Sequence, residues 1–152
     1  MSQQGFPDIA LALDQILEGW DIPTPATATK VSKVRASAKG EAWPYSMATN
    51  LEHTVYWQDI WIRALQGGRA TIGMQEWKND WRVPEAGEWA GLRDRFLSGL
   101  LEARAVAQSG QHRMKSEEDA RKTLMRIVIH ASYHLGQIYL LNRATRKADD
   151  SG

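Results

Sequence analysis

The sequence predicts an all-α protein, a four-helix bundle with one long crossover connection, built as a single domain over residues 1–152. Three observations predict it. Apolar residues recur three and four positions apart in four separate stretches, which is the period of a helix with one buried face. No stretch alternates apolar and polar residues between hairpin turn signals, so no strand is expected. Four amphipathic helices of this length bury their stripes most simply against one another.

The first helix is expected over roughly 7–20, with Ile9, Leu13, Ile16, Leu17 and Trp20 as its stripe. Pro7 stands where a helix start tolerates proline, and Asp21-Ile22-Pro23 ends the period. The connection from Asp21 to Ala42 is rich in Ala, Thr, Ser and Lys. It is long enough to be a crossover with a short extra helix around Thr29 to Ala38, which would let the first two long helices run parallel.

The second helix is expected over 45–66, striped by His53, Trp57, Ile60, Trp61, Ala64 and Leu65 and stopped by Gly67-Gly68. The following segment, GMQEWKNDWRVPEAGEW, is polar apart from its tryptophans, so it reads as a cap. Trp77 and Trp81 are expected to pack on the bundle's end, a reading favoured over the sharper one in which they wall a pocket. The third helix, 85–108, opens after Val83-Pro84 and carries Trp89, Leu92, Phe96, Leu100, Ala103 and Val106 before Ser109-Gly110. The fourth, 116–144, begins with a capping-box-like Ser116 and Asp119 and continues through Leu124, Ile127, Ala131, His134, Ile138 and Leu141. The polar tail from Thr145, TRKADDSG, is expected to fray.

A chain of 152 residues that is 43% hydrophobic and 24% charged has the composition of an ordinary globular domain with one core. Lys and Arg number 19 against 18 Asp and Glu, a net charge of +1 that gives no general attraction to nucleic acid or to an anionic membrane. The local run Lys30, Lys33, Arg35 and Lys39 reads as solvated surface. Cysteine is absent, which excludes disulfides, thiolate ligands and a cysteine nucleophile; any thiol chemistry needs a thiol brought by the substrate. The first residues lack the pattern of a signal peptide and no apolar run approaches the ~18 residues of a membrane span, so a cytoplasmic location is expected.

The stretch IHASYHLGQI places His130 and His134 four residues apart in an otherwise apolar run. Positions four apart lie about 40° from each other on a helix, so both imidazoles point the same way. Ile127, Ile138 and Leu141 share that side with His134, and His53 shares the stripe of Trp57 and Ile60 on the second helix. A buried imidazole needs partners for both ring nitrogens, and one divalent ion supplies a partner to several imidazoles at once. From spacing alone, hydrogen-bonded structural histidines are the simpler reading; His53, facing inward from another helix, brings a metal site level with it. His112, in SGQHRMK, reads as a solvated loop side chain.

NLEHTVYWQDIW in the second helix, followed much later by HASYHLGQ in the last, resembles the DinB-like family over nearly the whole chain, the tryptophan-bearing loop included. The resemblance implies a four-helix bundle with a long crossover, assembled as a homodimer, with a histidine triad of His53, His130 and His134 holding a divalent metal ion. It further implies a metal-dependent enzyme acting on a small molecule, either a hydrolase or an S-transferase using a low-molecular-weight thiol. Nitrogen-only ligation suits zinc, nickel and iron, with zinc or nickel favoured.

The last helix departs from the commonest family pattern at Tyr133 and Leu135, where a histidine and an arginine often stand, while Gln137 matches. Gln137, Tyr133 and Asn50 are weak catalytic candidates placed to orient a water or a substrate, whereas Glu52 is a poor general base because it points about 100° away from His53. Two alternatives stay open: a non-catalytic metal-binding or stress-related helical bundle, and a metal-free interaction module. A structural site is closed by four protein ligands, and only three are visible here.

Overall fold

The computed structural model describes residues 4–69 and 72–149 of the chain. Helix α1 (Pro7–Glu18) starts on Pro7 and ends where Gly19 adopts the left-handed conformation, φ 70° and ψ 49°. That cap shortens the expected helix by two residues, because a left-handed position stops the ladder and suits only glycine comfortably. Trp20 therefore leaves the stripe: it is exposed, and its indole N–H donates to Glu18 Oε2 at 2.7 Å. Ile9, Leu13 and Ile16 are buried as expected.

The connection to the next long helix holds two short helices rather than one, α2 (Pro25–Ala28) and α3 (Lys33–Ser37). Each begins on a hydroxyl cap: Thr24 Oγ1 accepts from Thr27 N at 3.1 Å and Ser32 Oγ from Arg35 N at 3.2 Å. Such residues favour starting a new helix over continuing an old one, which splits the segment at Thr29–Ser32. Arg35, expected on the solvated surface, is half-buried and reaches the last long helix: its Nη2 donates to Asn142 O at 2.9 Å and to Thr145 Oγ1 at 3.1 Å.

Helix α4 (Met47–Leu65) is capped by Ser46, whose Oγ accepts from Thr49 N at 3.1 Å. A short exposed helix, α5 (Met74–Asn79), and a 3-10 turn over Ala86–Glu88 lead into α6 (Trp89–Ser109), which ends on the left-handed Gly110. Helix α7 (Glu117–Asp149) begins at Ser116, whose Oγ accepts from Asp119 N at 3.1 Å and lies 2.8 Å from its carboxylate. The tail expected to fray from Thr145 is helical to Asp149, because Thr145 is buried and bonded to Arg35. Residues 150–152 of that expectation lie outside the described residues.

Among the described residues the protein is all-helical, without a strand. α4 packs against both α6 and α7, and α1 packs against the same two helices from another side. Their shared interior is apolar, with Leu13, Leu51, Val55, Phe96, Leu100, Leu124, Ile127, Leu135 and Ile138 buried in it. No helix among the described residues is long and apolar enough to cross a membrane.

The burial of α4 sets up the site. Leu51, Val55, Ile62 and Leu65 belong to the apolar core, whereas Trp57 and Ile60 are buried outside it. Residues two positions from His53 lie about 160° around the helix, so the histidine stripe faces away from the core rather than into it. α6 and α7 pack against α4, α7 also meets His53, and the segment around α5 covers the face that carries His53.

Candidate metal centre

Three imidazoles from two helices converge beside the core. His53 comes from α4, and His130 and His134 come from successive turns of α7. His53 Nε2 and His130 Nε2 lie 3.2 Å apart, and the rings of His134 and His53 have centroids 4.6 Å apart. One nitrogen from each residue falls within 4.8 Å of the others, a group that could hold a metal ion. Tetrahedral ligation with zinc–nitrogen bonds of about 2.0–2.1 Å puts nitrogens about 3.3 Å apart. The separation of the His53 and His130 nitrogens matches that edge.

Two of the rings are held from behind. His134 Nδ1 is 3.1 Å from Asn50 Oδ1, and since an amide oxygen only accepts, the ring carries its proton on Nδ1 and leaves Nε2 bare. Asn50 is itself fixed, for its Nδ2 donates to Gln137 Oε1 at 2.9 Å, and the same oxygen accepts from Tyr45 O–H at 3.3 Å. His53 Nδ1 lies 2.5 Å from Asp80 Oδ1, an oxygen that also accepts the indole N–H of Trp57. Both arrangements turn Nε2 toward the shared space, and each ligand orientation is thereby set by a neighbouring side chain.

Burial also keeps His130 and His134 free of protons. Desolvation, then the charges that His134 and His53 would place beside it, push His130 down to about 3. Burial and His53 push His134 down to about 4, against smaller upward pulls from Gln137 and Asp80. At neutral pH the lone pairs of both are available to an electrophile.

Aromatic side chains wall the group. Trp81 lies flat on His53, with centroids 3.8 Å apart and planes 11° from parallel, and Tyr45 stacks on Trp81 at 4.6 Å. Trp61 meets His130 edge-on at 5.0 Å. Tyr133, which is 64% exposed, meets His134 edge-on at 5.0 Å and stands at the rim. The expectation that the two loop tryptophans pack only as an end cap is corrected for Trp81, which contacts a site residue directly. Trp77 packs on Trp57 at 5.3 Å and is mostly exposed.

Glu52 turns away from the group and is bound by Arg82, with Nη2 3.1 Å from Oε2; Arg82 also holds Glu88 at 2.8 Å. His112 is half-buried rather than solvated: its Nδ1 accepts from Met114 N at 3.2 Å and fastens the turn between α6 and α7, outside the cluster. Leu135 is buried in the apolar core.

All three histidines singled out by the sequence therefore lie together. Asn50 and Gln137 back His134, and Tyr133 lies at the edge. Sequence reasoning missed Asp80 and Tyr45. Their positions in the chain carry no periodicity relating them to His53, since both lie outside the long helices; the only signal nearby was Trp81 in an otherwise polar loop. Comparison of the chain with family models, with curated protein sequences and with solved structures returned no match.

Proposed function

We propose that the protein is a DinB-like four-helix bundle with a long crossover, functioning as a metal-dependent enzyme on a small molecule. It is either a hydrolase or an S-transferase that takes a low-molecular-weight thiol, and it assembles as a homodimer. The observation that supports this reading is the convergence of three imidazoles, with Asn50 Oδ1 and Asp80 Oδ1 placed against Nδ1 of two of them. The donor set, nitrogen only, fits a first-row divalent ion such as zinc or nickel, with iron a third choice. With three protein ligands, such an ion keeps positions open to solvent or substrate, the arrangement of catalytic rather than structural sites.

When bound, the ion supplies Lewis acidity, lowering the pKa of a water or a thiol toward neutrality and polarising an electrophile. The chain's own residues supply orientation. Asn50 and Asp80 hold the ligand rings, Gln137 and Tyr45 hold Asn50, and Trp81 excludes water from one face of His53. Tyr133 and the partly exposed His130 border the solvent side, where a substrate would enter.

A second reading has a specific observation behind it: 3.2 Å between His53 and His130 is also an ordinary N–H···N hydrogen bond, so a metal-free interior satisfies the same contact. Elemental analysis of protein purified without a histidine tag separates the two. The enzyme reading expects about one divalent ion per chain, lost in the triple variant His53→Ala, His130→Ala, His134→Ala. A parent chain that binds no more metal than the triple variant refutes the site. Persistent inactivity of the metal-loaded protein against ester, amide and thiol-conjugation substrates would leave metal binding without catalysis.

A further inference from the structure

Asp80 lies in the connecting segment that follows α5. Helix α5, just before it, has no buried residue, yet Asp80 is itself only 6% exposed. Its Oδ1 receives the indole N–H of Trp57 and sits 2.5 Å from His53 Nδ1. His53 Nδ1 makes no hydrogen bond of ordinary geometry among the described residues, and the carboxylate 2.5 Å away is the group placed to accept its N–H. Two residues later, Arg82 is bound to Glu52 and Glu88.

Asp80 thus stands directly behind a candidate ligand ring, on a different nitrogen from the one that meets His130. A carboxylate behind a ligating imidazole fixes its tautomer and orientation and raises its basicity, and loss of such a partner costs about 10–100-fold in metal affinity. Oδ1 contacts Nδ1, on the side of the ring remote from the other two imidazoles, so Asp80 is a backing group and not a fourth ligand.

We propose that Asp80 is a positioning residue that locks His53 for metal binding and, in doing so, ties the covering segment to the occupied site. This rests on the metal reading given above. The segment that carries the backing carboxylate also carries Trp81, the flat lid on His53, so ion binding and closure of this segment strengthen each other.

The test is metal affinity, measured with zinc in competition with a chromophoric chelator at pH 7.5, on the full chain. Asp80→Ala is expected to weaken zinc binding about 10–100-fold. Asp80→Asn keeps an acceptor without the charge and is expected to recover part of the loss. Trp57→Phe removes one donor from Asp80 without touching a ligand, and a smaller loss is expected. Thermal unfolding of each metal-free variant identifies one that has failed to fold, in which case Asp80→Asn and Trp57→Phe carry the test. Limited trypsinolysis gives a second readout: zinc is expected to protect the bonds after Lys78 and Arg82 in the parent chain and not in Asp80→Ala. If the parent binds zinc and the folded Asp80 variants bind it equally well, the role of Asp80 is refuted while the metal site stands. If the parent binds no zinc, the metal reading falls and the role of Asp80 falls with it.

Discussion

Acidification should destabilise the metal-free protein through His130 and His134. His130 and His134 have an ordinary value of 6.5, and the fold pushes them down to about 3 and about 4, chiefly by burial. Between those values and 6.5 the unfolded chain binds protons that the folded chain refuses, so folding stability falls as pH falls. The stability is fully present above pH 6.5 and is lost as pH drops toward the folded values. Each histidine contributes a slope of about 1.4 kcal/mol per pH unit in that window. Integrated from pH 7.5 to pH 5, the two together remove roughly 4 kcal/mol, a large share of the 5–15 kcal/mol typical of a domain. The assay is urea unfolding of chelator-treated protein at pH 7.5, 6 and 5. A double variant, His130→Leu and His134→Leu, removes the titrating groups and should flatten the dependence. A parent midpoint that does not move between pH 7.5 and pH 5, or a double variant that falls as steeply as the parent, would refute the assignment of the effect to these rings.

Packing between α4 and α6 gives another expectation. A methyl group on Gly99 would stand 2.0 Å from Gln58 Nε2 and 3.1 Å from Ile62 Cδ1, and it would push the Gln58 amide off the Phe96 carbonyl it meets at 3.2 Å. Gly99→Ala is expected to destabilise by about 1–3 kcal/mol, overpacking outweighing alanine's better helix propensity, and thermal unfolding checks it. Arg35→Ala should release the end of α7 by removing the bonds to Asn142 and Thr145. Hydrogen exchange would show faster exchange around residues 142–146 with little change near His130.

Much of the helical architecture was legible because burial on one side of a helix leaves a period in the sequence. The apolar stripes located four long helices, and glycines or hydroxyl residues marked most of their ends. The errors were local and have local causes. Gly19 cut Trp20 away from α1, two hydroxyl caps divided the 21–42 connection into two helices, and a tertiary bond from Arg35 held Thr145 in place. Arg35 illustrates the limit well: as one member of a basic run it looks solvated, and only its distance from α7 reveals a structural cation.

The histidines were legible for the same periodic reason, since a spacing of four fixes their common face on α7 before any fold is known. What the sequence determined by itself was therefore that His130 and His134 share one face of their helix, and that His53 lies on a buried stripe of another. Only the tertiary structure decided which side of α4 that stripe occupies, that it looks away from the apolar core, and that Asp80 and Trp81 return from a connecting segment to close over it. Helical periodicity carries information within one helix; the meeting of a loop carboxylate with an imidazole 27 positions earlier depends on how the whole chain packs, and no local spacing encodes it.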